Sequence, residues 1–186
     1  LFLDIDGVLN HDGWFESPGY KNNQANWKVS MFDPKCVERV NKILEATGAE
    51  LVVSSSWRSM ADLPEIFAGV GLPTEFHKTI HADEIYHMSR CDLYNDLYGG
   101  NCEDQKWWRG SEIDYFIGRM DPNANYVILD DDCDMLDSQK DHFIQTCGDR
   151  FYTPKLYEKN GGSGLTEYCM NKAIEILNGN AKETDN

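Results

Sequence analysis

The sequence predicts an α/β fold: a doubly wound parallel sheet with helices on both faces. Three observations carry this expectation. Short apolar runs end in polar residues, helical patterns with start and stop signals lie between them, and 186 residues suffice for one domain with a sizeable core.

The elements follow in order. "LFLDI" at 1–5 reads as a central parallel strand buried on both faces. Residues 10–32, rich in Gly, Asn and aromatics but without a sustained period, read as a loop or short flap. Asp33 can cap the next helix, Pro34 suits its first turn, Val37, Val40 and Leu44 share a face, and Gly48 can end it. Leu51, Val52 and Val53 form a second strand that runs into Ser54. A helix at about 60–69 follows, then a weaker third strand in "EFHKTI". Residues 81–108 are polar, aromatic and irregular, and are read as an insertion. Ser111 can cap a helix carrying Ile113, Phe116 and Ile117, with Asp114 completing a capping box. "YVILDDD" is a strand ending in carboxylates, and "HFIQT" is a fifth strand. Thr166 can cap a last helix running to Asn178 and stopped by Gly179. One domain is therefore expected over 1–178, with 179–186 as a frayed tail.

Composition narrows the function. An apolar fraction of 41% with clear periodicity indicates a globular chain. No apolar run approaches the roughly 20 residues that span a bilayer. No charged-then-apolar leader stands at the start. A chain that opens on Leu1 is expected to lack its natural start, which leaves an upstream segment open. Six cysteines (Cys36, Cys91, Cys102, Cys133, Cys147 and Cys169) without a CxxC pair suggest reduced thiols in a cytoplasmic setting and argue against a zinc site. A net charge of −15 disfavours extended nucleic-acid binding. A small anionic substrate remains compatible if a metal and a few cations reverse the field locally.

Ligands of parallel sheets bind outside the carboxyl ends of the strands. Asp4 and Asp6, Ser54 to Ser56, and Asp130 to Asp132 all fall at such ends. An EF-hand fails for these acids: counting from Asp4 puts Val8 at a ligand position, and counting from Asp130 puts Met135 where Gly is needed. Mg²⁺ fits better, because it takes one or two carboxylates, waters and phosphate oxygens. Asp4 and Asp130 can supply those carboxylates. A carboxylate such as Asp4 can also attack phosphorus to form an aspartyl phosphate, with Asp6 moving the proton. Ser54 can donate to the transferring phosphoryl group, and an Arg or Lys can neutralise its oxygens.

"DIDGV" after an apolar strand resembles motif I of the haloacid dehalogenase (HAD) superfamily, whose Rossmann-like fold here has a minimal cap or flap. The resemblance implies Asp4 as nucleophile and Asp6 as general acid/base, the latter a mark of phosphatases and phosphomutases. "LVVSSSWR" resembles motif II, with Ser54 in best register and Ser55 as the alternative. "YVILDDD" resembles motif IV, with Asp130 and Asp131 as the acidic pair. For the motif III cation, Arg109, 21 residues before Asp130, is preferred and Lys106 is the runner-up. The implied metal set is Asp4, Asp6 (through its backbone carbonyl), Asp130 and Asp131. "RGSEI" and the late "GLT" extend the resemblance to the HAD-type domain of RNA-repair-associated proteins, related to the phosphatase half of phage polynucleotide kinase-phosphatases. That implies a phosphate monoester on a nucleotide or polynucleotide end. A phosphotransferase or mutase on a small sugar phosphate, and a non-catalytic phosphate-binding module, are the alternatives.

Other residues admit plainer roles. Arg58, one turn past the strand end, can touch substrate phosphate or pair with a surface carboxylate. Asp132, Asp134 and Asp137 read as a solvated acidic loop. His77, His81, His87 and His142 lack ligand spacing. Trp14, Trp27, Trp107 and Trp108 can stack on a base, although loop aromatics more commonly fill local packing.

Overall fold

Phe2 and Leu3 project to opposite sides of a sheet in which every pairing is parallel. The structure, a computed structural model, describes residues 1–22, 26–79, 109–148 and 153–179. Its strands are β1 (Phe2–Leu3), β2 (Val52–Val53), β3 (His77–Lys78), β4 (Ile128–Asp130) and β5 (Phe143–Gln145), in the spatial order β3-β2-β1-β4-β5. Phe2 lies beside Val52 and Ile128, and Leu3 beside Val53 and Leu129. The first strand in sequence is thus the middle strand in space, flanked by the other two that carry polar ends.

The period of two along each strand divides the core. Leu1, Leu3, Ile5, Leu51, Val53, Val127 and Leu129 pack on one face with α4 (Pro34–Thr47), α5 (Leu63–Val70) and α8 (Glu167–Leu177). Phe2, Val52 and Ile128 pack on the other with Ile113, Phe116 and Ile117 of α6 (Arg109–Met120). Both faces are covered, as parallel sheets require. Among the described residues no helix is long and apolar enough to cross a membrane.

Helix signals mostly act as expected. The Asp33 carboxylate accepts the Lys35 N–H at 2.9 Å, and Gly48 ends α4 at φ 66°. Thr166 caps α8 by accepting from Cys169 N–H at 3.3 Å. Two expectations need correction. Residues 10–32 are not simply a loop: α1 (Asp12–Phe15), α2 (Pro18–Asn22) and α3 (Trp27–Ser30) lie there, and His11, Ser30 and Phe32 are buried. Ser111 does not cap α6, which begins two residues earlier at Arg109, whose N–H donates to the distant Asp134 carboxylate at 3.0 Å. A further helix beyond the expected elements, α7 (Pro154–Asn160), is capped by Thr153 and closed by Gly161 at φ 73°. The expected insertion at 81–108, with Lys106, Trp107 and Trp108, lies outside the described residues.

The segment after β1 is clamped at its base. His11 donates from Nε2 to Asp33 at 3.1 Å, and its Nδ1 accepts from the Ser163 hydroxyl at 3.0 Å and the Trp14 N–H at 3.3 Å. The clamp joins this segment to the start of α4 and to the turn before α8.

Candidate active site

Three ladder bonds set the floor of the site. Asp4 N–H donates to Leu129 O at 2.9 Å, Ser54 N–H to Leu3 O at 3.0 Å, and Thr146 N–H to Asp130 O at 2.9 Å. Asp4, Ser54 and Asp130 therefore share the carboxyl edge of adjacent strands. Beyond Asp4 the chain turns at Gly7, which sits at φ 72° where side chains other than glycine are strained. The Val8, Leu9 and Asn10 N–H groups all return to Ile5 O, which makes the turn tight.

Asp4, Asp130 and Asp131 are buried, and one oxygen of each lies within 4.8 Å of the others. Burial raises the Asp4 carboxyl above its ordinary range, opposed chiefly by the Arg109 charge. Asp130 is pushed well above its usual value by burial and then by the Asp4 charge. Burial, followed by the Asp4 charge, lifts Asp131 to about 7. Three mutually repelling buried carboxylates form a set that a divalent cation would relieve. Asp130 Oδ2 is buried without a hydrogen-bond partner among the described residues, and oxygen donors alone suit a hard ion such as Mg²⁺. The residues present therefore fit the ion.

Arg109 reaches this cluster from the first position of α6. Its guanidinium lies 3.7 Å from Asp4 and 3.5 Å from Asp130 Oδ2. Glu112, one turn on, holds the same guanidinium at 3.6 Å. Asp131 is seated by two glycines: a Cβ on Gly7 or Gly148 would run into its side chain. Gln145 anchors the Asp131 carbonyl at 3.0 Å, and Thr146 bonds the Gly7 carbonyl at 2.9 Å.

Asp6 stands apart from the buried trio. It is exposed, and both of its oxygens accept N–H donors: Asn10 Nδ2 on Oδ1 at 2.8 Å and Trp57 Nε1 on Oδ2 at 3.0 Å. Ser54 Oγ is fully buried with no hydrogen-bond partner among the described residues. Ser55, by contrast, bonds the Asp4 carboxylate and accepts the Trp57 N–H at 3.4 Å, starting a short 3₁₀ turn at Ser56–Ser59.

Arg58 is placed differently from a phosphate ligand. Its Nη2 bonds both Glu112 oxygens at 2.9 Å, and its Nη1 donates to the Ser54 and Ser55 carbonyls at 2.6 and 3.0 Å. In this arrangement it braces the loop beneath Ser54. Asp134 is likewise no simply solvated acid, because it receives the α6 terminus. Trp14 spends its indole N–H on Ser30 O at 2.9 Å, whereas Trp27 is 60% exposed. His77 faces Glu50 and His142 faces the Tyr126 carbonyl, neither at the site.

Sequence reading missed Asn10, Trp57, Glu112 and Gly148. Asn10 has a local signal, since it bonds Asp6 within the same turn; the roles of Trp57 and Gly148, and the Glu112 bond to Arg58, depend on partners distant in sequence.

Comparison with known proteins gives one family. Residues 1–153 match the family described as "HAD domain in Swiss Army Knife RNA repair proteins". No curated protein and no solved structure matches the chain significantly.

Proposed function

The chain belongs to this HAD domain family of Swiss Army Knife RNA repair proteins, and from that premise we propose that it is a Mg²⁺-dependent phosphomonoesterase working through an aspartyl phosphate. The observation that carries the proposal is the meeting of Asp4, Asp130 and Asp131 with Arg109 at the edge of β1 and β4.

Asp4 Oδ attacks phosphorus, forming an acyl-phosphate bond as the ester P–O bond breaks. Asp6 gives its proton to the departing ester oxygen. Water then attacks the aspartyl phosphate, Asp6 takes a proton from it, and cleavage of the P–O bond to Asp4 restores the carboxylate. Ser54, whose hydroxyl lacks a protein partner among the described residues, donates to a phosphoryl oxygen. Arg109 holds the equatorial oxygens. Asp4, Asp130, Asp131 and the Asp6 carbonyl would hold Mg²⁺, which when bound neutralises phosphoryl charge. Arg58 acts through the loop that it braces, not by touching phosphate.

The family description favours a phosphate on a nucleotide or polynucleotide end. The net charge of −15 favours ends over long duplexes. Residues 1–178 are taken as one catalytic domain working in the cytoplasm, which the free thiols of Cys36, Cys133 and Cys169 support.

The test is Mg²⁺-dependent phosphate release from p-nitrophenyl phosphate by the wild type, Asp4→Asn and Asp6→Asn. Abolition in Asp4→Asn is expected, and full activity there refutes the mechanism. Mononucleotides and oligonucleotides with 3′- or 5′-phosphates, measured against small sugar phosphates, test the substrate class. Equal rates on all of them would remove the nucleic-acid reading.

A further inference from the structure

Trp57 belongs to the motif that binds phosphate, yet its indole reaches a different motif. Its N–H meets Asp6 Oδ2 at 3.0 Å across 51 residues of sequence, while its ring packs edge-on against Phe32 at 5.5 Å between centroids. The indole is thus anchored in the core and its polar edge is aimed at an exposed carboxylate. The Asp6 carboxylate itself is exposed. What fixes it is one donor from its own turn, Asn10, and one from the β2 loop, Trp57.

We propose that Trp57 is a positioning residue that aims Asp6 at the leaving-group oxygen, so that hydrolysis of esters with poor leaving groups depends on its indole N–H. The inference rests on Asp6 as the proton donor in the reading above. Each carboxylate oxygen has two lone-pair sites, so both donors can stay in place while a free site carries the proton in flight. The proton passes from Asp6 to the ester oxygen as the Asp4–phosphorus bond forms and the ester P–O bond breaks. A sugar alkoxide needs that proton as it leaves, whereas p-nitrophenolate leaves without it. Misaiming the donor therefore harms the first class of ester and spares the second.

The experiment measures kcat/KM, which reports the steps through first P–O cleavage, on a nucleoside 3′-monophosphate and on p-nitrophenyl phosphate. Trp57→Phe keeps an aromatic ring against Phe32 and deletes the N–H. It should lower kcat/KM on the nucleotide about tenfold or more and on the aryl ester less than about threefold. Asp6→Asn should show the same selectivity with a larger loss. An equal loss on both esters, or none on either, overturns the role of Trp57 and leaves the hydrolase reading intact, provided that Asp6→Asn is selective. If Asp6→Asn is not selective, the proton-donor reading falls and this inference with it. A second measurement does not depend on the folding of Trp57→Phe. The indole N–H resonance of Trp57 in the wild-type background should move in Asp6→Ala, and a resonance that stays put overturns the proposal.

Discussion

Gly7 and Asp131 occupy one space: a Cβ on Gly7 would lie 2.6 Å from the Asp131 Cβ and closer still to its carboxyl group. The turn after Asp4 and the acid after β4 therefore fit only while residue 7 has no side chain. Gly7→Ala should add left-handed strain of about 1 kcal/mol and displace Asp131. Gly48→Ala is the matched control, with a similar φ of 66° but no atom within 4 Å of the added carbon. Thermal melts should show Gly7→Ala falling further than Gly48→Ala, and phosphatase assays should show only Gly7→Ala losing activity.

Glu112 accepts both Arg58 bonds in a buried pocket and holds Arg109 as well. Glu112→Ala removes the carboxylate that takes both Arg58 Nη2 bonds in a buried setting and should cost about 3–5 kcal/mol by denaturant titration. The double variant Arg58→Met/Glu112→Leu should recover most of that stability. It should not recover activity, because Arg109 then has lost the carboxylate that steadies it.

The buried acids set a pH dependence whose sign can be worked out. An unfolded Asp titrates near pH 4, whereas folded Asp131 titrates at about 7, and Asp4 and Asp130 are also raised. Between those values the folded chain holds more protons than the unfolded chain. Their contribution to stability is therefore full below about pH 4 and is lost as pH rises toward 7. Melts in chelator should show a falling midpoint over that window, and Asp131→Asn should flatten part of it. Millimolar Mg²⁺, which binds the ionised acids, should raise the midpoint most above pH 7. An Mg²⁺ effect that is strongest at pH 5 would contradict the proposed cation site.

Asp134 governs where Arg109 begins its helix. Asp134→Ala removes the acceptor of the Arg109 N–H and should cost about 1 kcal/mol, as loss of a helix cap does. The functional trace should be a severalfold rise in KM for phosphate esters, because the guanidinium loses its origin. Asp134→Asn, which keeps an acceptor oxygen, should restore most of both.

The shared sheet edge of Asp4, Ser54 and Asp130 was legible because each follows an apolar strand, and parallel topology gathers strand ends on one edge. The candidacy of Arg109 rests on the resemblance to motif III, because the local signals place the helix start two residues later, at Ser111. The pairing of Arg58 with Glu112 was not legible, because the two residues lie 54 positions apart. The cap of α6 misled for the same reason: Ser111 was the nearest capping residue, but the acceptor came from the β4 loop. In contrast, α7 carries its own cap and stop signals, Thr153 and Gly161, within its local sequence. The second donor to Asp6 required knowing that two strand-end loops meet.

The central position of β1 has a kinetic corollary. Its neighbours pair at Val52–Val53 and at Ile128–Leu129, so two long loops must close before Asp4 has company on either side. A nascent chain released only as far as α5 would possess Asp4, the proposed nucleophile, but neither Arg109 nor the acids of β4. Turnover should therefore emerge late in refolding, after helical signal has recovered, and its half-time would clock the docking of β4 against β1.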